Sequence, residues 1–126
     1  MEINRPDVHA EVAAAFAHYE AALVSNDVAT LQALFWDSAL TIRYGIGENL
    51  HGIDEIGAFR AARSPVGLAR CIFRTVITTY GQDFATASTL FARDTVPGKL
   101  GRQMQTWARM AEGWRIVAAH VSLIDG

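Results

Sequence analysis

From Leu68 onward the chain reads as four stretches rich in β-branched and aromatic residues, joined by connections short enough for antiparallel hairpins. No other feature limits its fold as much. The stretches are Leu68–Tyr80, Phe84–Thr95, Arg102–Met110 and Trp114–Leu123, with turns at Gly81-Gln82-Asp83, Pro97-Gly98-Lys99-Leu100-Gly101 and Ala111-Glu112-Gly113. A four-strand meander must bury one face, and the preceding residues supply the cover. Val8, Val12, Phe16, Tyr19 and Leu23 recur at helical spacing, which predicts a long helix over about residues 7–25 with Asp7 as its cap. A second, short helix is expected over Val28–Phe35, a strand over Ala39–Tyr44, a glycine-punctuated loop from Gly45 to Gly52, and a third helix capped by Asp54 and running to about Ala62.

This order gives an α+β fold: one domain over residues 1–126, a cone-like curved antiparallel sheet with the long N-terminal helix inside it. Composition narrows the function. The net charge is −2 and neither sign forms a run, so nucleic acid and anionic membrane surfaces are excluded as partners. The N-terminus has no leader pattern and no stretch is apolar enough for a membrane span, so a cytoplasmic protein is expected. Cys71, alone in the chain, rules out an internal disulfide and reads as a buried core thiol. With no paired histidines and no Gly-x-Ser-x-Gly elbow, neither a metal nor an organic cofactor is expected.

Several side chains are candidates for chemistry. Tyr19 shares the inward face of the first helix, so its hydroxyl is either a core group bonded to a backbone carbonyl or an acid or base. Arg43, in phase with Thr41, faces water or the mouth of a cavity, where its planar fork would grip a carboxylate. Gln103, Gln105 and Trp107 share one strand face; lining a cavity, the two amides would both donate to and accept from a urea-like ligand. His120 falls in phase with Trp114, Ile116, Ala118 and Ser122, as an acid or base or as part of a subunit interface. Arg70 would add a second anion contact, a role that Arg63, Arg74 or Arg102 could equally fill. A homodimer is expected from an outer apolar patch including Trp114 and Ile116.

The element order, together with the ending Gly113-Trp114-Arg115-Ile116-Val117-Ala118-Ala119-His120-Val121-Ser122, resembles the SnoaL-like branch of the nuclear transport factor 2-like superfamily. More narrowly, Glu2-Ile3-Asn4-Arg5-Pro6, Phe35-Trp36, Arg43-Tyr44-Gly45-Ile46-Gly47-Glu48, Thr79-Tyr80-Gly81-Gln82-Asp83-Phe84-Ala85 and Gly101-Arg102-Gln103-Met104-Gln105-Thr106-Trp107 are similar to the HpxZ and AtzH-like proteins. That resemblance implies a place beside an amidase-signature enzyme in the catabolism of oxalurate or of ring-opened cyanuric acid. It implies conversion of dicarboxyurea to allophanate by a cofactor-free hydrolase, with Tyr19 and Arg43 catalytic and Gln103, Gln105, Arg70, Trp107 and His120 holding a small anionic urea-like substrate. The other reading is a non-catalytic subunit that carries an intermediate for, or stabilises, an amidase partner. A SnoaL-like cyclase or isomerase is a weaker third option, with only His120 as an interior acid or base.

Overall fold

A computed structural model describes all residues 1–126. Helix α1 (Pro6–Val24) begins with proline in its first turn, where the ring's missing N–H costs nothing, and turns Val8, Val12, Phe16, Tyr19 and Leu23 inward. Asp7 does not cap it. Arg5 holds the capping position, and Asp7, inside the first turn, accepts hydrogen bonds from Arg5 Nε and the Val8 amide. Helix α2 (Val28–Leu34) is capped by Asp27, whose carboxylate accepts from the Thr30 amide. Helix α3 (Ile53–Ala62) starts after Gly52 at φ 89°, a left-handed backbone that suits glycine, and Asp54 lies in its first turn rather than at its cap.

Six strands form one curved sheet: β1 (Ile42–Tyr44), β2 (Asn49–His51), β3 (Cys71–Tyr80), β4 (Phe84–Ala92), β5 (Lys99–Met110) and β6 (Gly113–Asp125), in the order β2-β1-β6-β5-β4-β3. The last four form the meander. The expected Gly45–Gly52 loop contains β2, which folds back on β1 as a hairpin. The sheet is also not antiparallel throughout, because β1 joins β6 in parallel, Arg43 beside Ala119. Helix α1 packs its apolar face on the concave side, where Trp107, Trp114, Ile116 and Ala119 complete the core.

A bulge decides which residues of β6 face inward. Thr106 pairs with Ala118 but Trp107 with Ile116, leaving Val117 unpaired and reversing the alternation beyond it. Trp114 and Ile116 point inward on one side of the bulge, Ala119 and Val121 on the other. Two expectations fall together. His120 lies on the outer, exposed face beside Tyr44, with ring centroids 6.1 Å apart, and Trp114 and Ile116 are core residues that supply no outer patch for a dimer. Cys71 is exposed as well, because it opens β3 at the sheet edge.

Across β4 and β5 the inner faces pair large with small: Phe91 opposite Gly101, Thr89 opposite Gln103, Ala87 opposite Gln105, and Ala85 opposite Trp107. Gly101 has no room for a side chain, since a Cβ there would overlap the Phe91 ring. Gly101→Ala is therefore expected to lower stability by about 1–3 kcal/mol through overpacking, measured by chemical denaturation. An unchanged midpoint would mean that the ring can step aside.

Candidate active site

The concave face carries a concentration of cations unusual for a protein interior. Arg43, on β1, is 6% exposed, and Arg60, on α3 one turn after Ile56, is 0% exposed. The Arg70 side chain, just before β3, is also buried. Arg63, after α3, and Arg93, after β4, are half-buried. Glutamates answer only two of the five: Glu48 accepts from Arg43 Nη1 at 2.8 Å, and Glu20 of α1 pairs with Arg70. Three positive charges remain in excess.

Phenylalanine faces hold these guanidinium groups in place. Arg43 and Arg63 stand over Phe59 at 5.3 and 5.7 Å, Arg70 and Arg93 over Phe91 at 4.5 and 5.0 Å, and Arg60 over Phe35 at 5.2 Å. A ring face fixes a planar cation without using its N–H groups. The donors stay free: all three nitrogens of Arg60, Nε of Arg43, Nε and Nη2 of Arg63 and Nε of Arg93 are buried with no hydrogen-bond partner in the chain.

The glutamines add to the same imbalance. Gln103 Oε1 accepts from Arg70 Nη2 at 2.9 Å, and Gln105 Oε1 accepts from Trp107 Nε1 at 3.1 Å. Those donors fix both amides with oxygen inward, because a guanidinium and an indole N–H have nothing to accept with. Each Nε2 is left buried and unpaired. The two amides therefore do not offer the mixed donors and acceptors expected from sequence; what they have left is donors. Gln105, Ala119 and Arg43 form one row across β5, β6 and β1, so an amide and a guanidinium flank a small alanine.

Tyr19 faces this field from α1. Burial alone would raise its phenol pKa, but Arg60 and then Arg43 and Arg70 more than offset that, leaving it below the ordinary 10.0. No nitrogen of Arg60 reaches hydrogen-bond geometry with the phenol, although the two groups lie close enough to influence each other. Arg60 is itself held below its usual pKa, chiefly by burial. The arrangement favours placing negative charge on Tyr19 or on a ligand beside it.

Sequence reasoning placed Tyr19, Arg43, Gln103, Gln105, Trp107 and Arg70 among the candidates, and the fold brings all six to the concave side. Arg70 is tied to Glu20 and Gln103 and so is engaged within the chain rather than free as a second anion contact. His120, Arg74 and Arg102 line an outer concavity of about 410 Å³ on the convex face, which Gln103 also borders and where Arg102 donates to Ser122. That concavity does not reach Tyr19. Arg60 and Arg93 were missed. The available signal for Arg60 was its spacing of four from Ile56, which puts both on one helix face.

A cleft of about 170 Å³ opens between the β1–β2 turn, α3 and the end of β4, lined by Arg43, Ile46, Glu48, Phe59, Arg63, Leu68 and Arg93; Tyr19, Gln103 and Gln105 lie deeper, behind Arg43, and do not line it. It is smaller than the roughly 300–1,000 Å³ of pockets for drug-sized ligands, which suits a compact ligand. The AtzH-like family model matches the chain over residues 1–126. The chain belongs to the AtzH-like family. Solved structures match this AtzH-like chain over nearly its whole length. A protein of unknown function in the family DUF3225 from Pectobacterium atrosepticum SCRI1043 is 61% identical, with 98% of this chain and 95% of that chain covered and a TM-score of 0.95. A cystatin-like fold protein from Burkholderia xenovorans LB400 is 56% identical over 100% of this chain and 98% of that one, with a TM-score of 0.96. At 23% identity, a nuclear transport factor 2-like superfamily protein from Salmonella enterica serovar Typhimurium LT2 shares the fold, covering 92% of this chain and 90% of that one with a TM-score of 0.71. No curated protein matches the chain. No helix of this AtzH-like chain is long and apolar enough to cross a membrane.

Proposed function

We propose that this protein cleaves the N–carboxylate bond of a small ureido acid, converting a dicarboxyurea-like substrate to its monocarboxylate. One observation carries the reading: the arginines around Tyr19 and the amides of Gln103 and Gln105 keep buried donors without a partner, so a ligand that fits them is rich in acceptors and negative. A carboxylated urea meets that description at both ends and at its central carbonyl.

In this reaction Arg43, through its free Nε, holds one carboxylate, while Gln103 and Gln105 donate from Nε2 to the urea oxygen. Tyr19 gives its proton to the adjacent nitrogen as the N–C bond breaks. The bonding pair passes to that nitrogen, the carboxylate leaves as carbon dioxide, and solvent reprotonates the phenolate. Hydration of the carbon dioxide makes the net change a hydrolysis. Arg60 stabilises the charge that appears on Tyr19 in mid-reaction, which is the moment at which an unpaired buried cation has most effect.

The test is to supply enzymatically generated dicarboxyurea, and separately oxalurate, and to follow allophanate and carbon dioxide by mass spectrometry. Turnover of dicarboxyurea by the wild type and its loss in Arg43→Ala support the assignment. A wild-type rate equal to the spontaneous rate on both compounds removes it, and a carrier or accessory role for an amidase then becomes the reading to pursue.

A further inference from the structure

Arg63 and Arg93 have no part in the chemistry above, yet both line the cleft and both bury unpaired nitrogens, Nε and Nη2 of Arg63 and Nε of Arg93. They come from separate places, one after α3 and the other after β4, and each is seated on a different ring, Phe59 and Phe91. Arg43 shares Phe59 with Arg63, and Arg70 shares Phe91 with Arg93. In each pair one arginine has a glutamate, Glu48 or Glu20, and the other has none. No acidic side chain in the chain forms an ion pair with Arg63 or Arg93. Burial together with the neighbouring cations Arg60 and Arg43 brings Arg63 down to about 10, and burial and Arg70 lower Arg93. Two cations that line one cleft without a counter-ion disfavour each other, and a ligand carboxylate bound between them would relieve that.

We propose that Arg63 and Arg93 form a second carboxylate subsite in the cleft, so that the site selects a dianion with an acid group at each end over a monoanion of the same shape. This rests on the reading that the ligand is a carboxylated urea, and it adds which residues grip the carboxylate that is retained. It also eases product release. The substrate satisfies both subsites, whereas the product has a single carboxylate and leaves one of them empty, so the product is held less tightly than the substrate.

The subsite can be tested without turnover. Glutarate replaces both N–H groups of dicarboxyurea and its central carbonyl by methylenes, keeps the two carboxylates and is inert; monomethyl glutarate has the same chain with one charge. Titration calorimetry on the wild type should show glutarate binding about ten-fold or more tighter than the monoester, the scale of one charge-assisted pair of hydrogen bonds. Arg63→Gln and Arg93→Gln should each bring glutarate close to the monoester while leaving monoester affinity within about two-fold. Arg102→Gln, on the convex face, should leave both affinities unchanged. A wild-type ratio near one, or variants that weaken both ligands equally, would overturn the subsite. The wild-type ratio stands as a test even if a glutamine variant fails to fold, and Arg63→Lys and Arg93→Lys then report whether the planar fork is needed. If glutarate is preferred but dicarboxyurea is not turned over, the proposed reaction falls and the subsite stands. Turnover with no dianion preference keeps the reaction and removes the subsite.

Discussion

Arg60→Met is expected to yield a protein that melts later and has almost no activity. In the wild type a guanidinium is fully buried with none of its nitrogens bonded, and its contacts are the Phe35 ring and the neighbouring phenol. Removing an ion of this size from water costs several kcal/mol when nothing in the chain answers it, and apolar replacement of such buried charges is often stabilising by about 1–4 kcal/mol. Methionine fills much of the same space and packs on the ring through its sulfur. Catalysis goes the other way, because the positive charge that lowers the Tyr19 pKa and receives the phenolate is gone. The pH profile separates this from a general packing defect. The wild type needs Tyr19 protonated, so its activity should fall as pH rises through a value below 10.0. Residual activity in Arg60→Met should persist to higher pH, since the phenol then holds its proton more tightly. Stability has its own signature. Between the folded pKa of Tyr19 and 10.0 the unfolded chain carries a proton that the folded chain has lost, so wild-type stability from this group climbs with pH across that window. The climb should shrink in the variant. A variant that melts earlier than the wild type would show that Arg60 is satisfied in solution.

Tyr19→Phe should cost about 10²–10⁴ in turnover, the usual contribution of a positioned general acid, while glutarate still binds within a few-fold. The change removes one oxygen and leaves the ring against Phe35, 6.3 Å between centroids, so the α1 face keeps its packing. This variant separates an enzyme from a carrier: a carrier tolerates the loss of the hydroxyl, and an enzyme that uses it as an acid does not. Full turnover in Tyr19→Phe would transfer the proton step to solvent and reduce Tyr19 to a core residue.

How far such a site can be read from sequence depends on where the chain keeps its regular periods. Gln103, Gln105 and Trp107 lie on a stretch of β5 without a bulge, so strict alternation puts all three on one face, as their burial confirms. The same rule fails one strand later, because the extra residue at Val117 leaves no mark in the run Ile116-Val117-Ala118-Ala119, every member of which suits either face. His120 was misplaced by that one residue. Strand β2 was hidden for a different reason: its three residues sit among glycines, and it exists only because β1 offers an edge to pair with. Arg60 was passed over despite its spacing from Ile56, because an arginine in the last turn of a helix ordinarily serves the helix dipole at the surface. What decides its inward position is the fold around it, which only tertiary structure supplies.

The placement of charge has a kinetic consequence. The chain as a whole carries −2, so once the concave face's surplus of three positive charges is set apart, the remaining surface carries −5. A dianion arriving from solution therefore meets a repelling shell before it meets the attracting centre. At physiological salt the screening distance is about 8 Å, and the approach is nearly neutral until the cleft is reached. In dilute buffer the shell extends outward and encounter slows, the opposite of the steering seen where a binding surface and its exterior share one sign. Added salt would speed arrival and weaken the hold once bound, so the two halves of affinity respond to ionic strength in opposite directions.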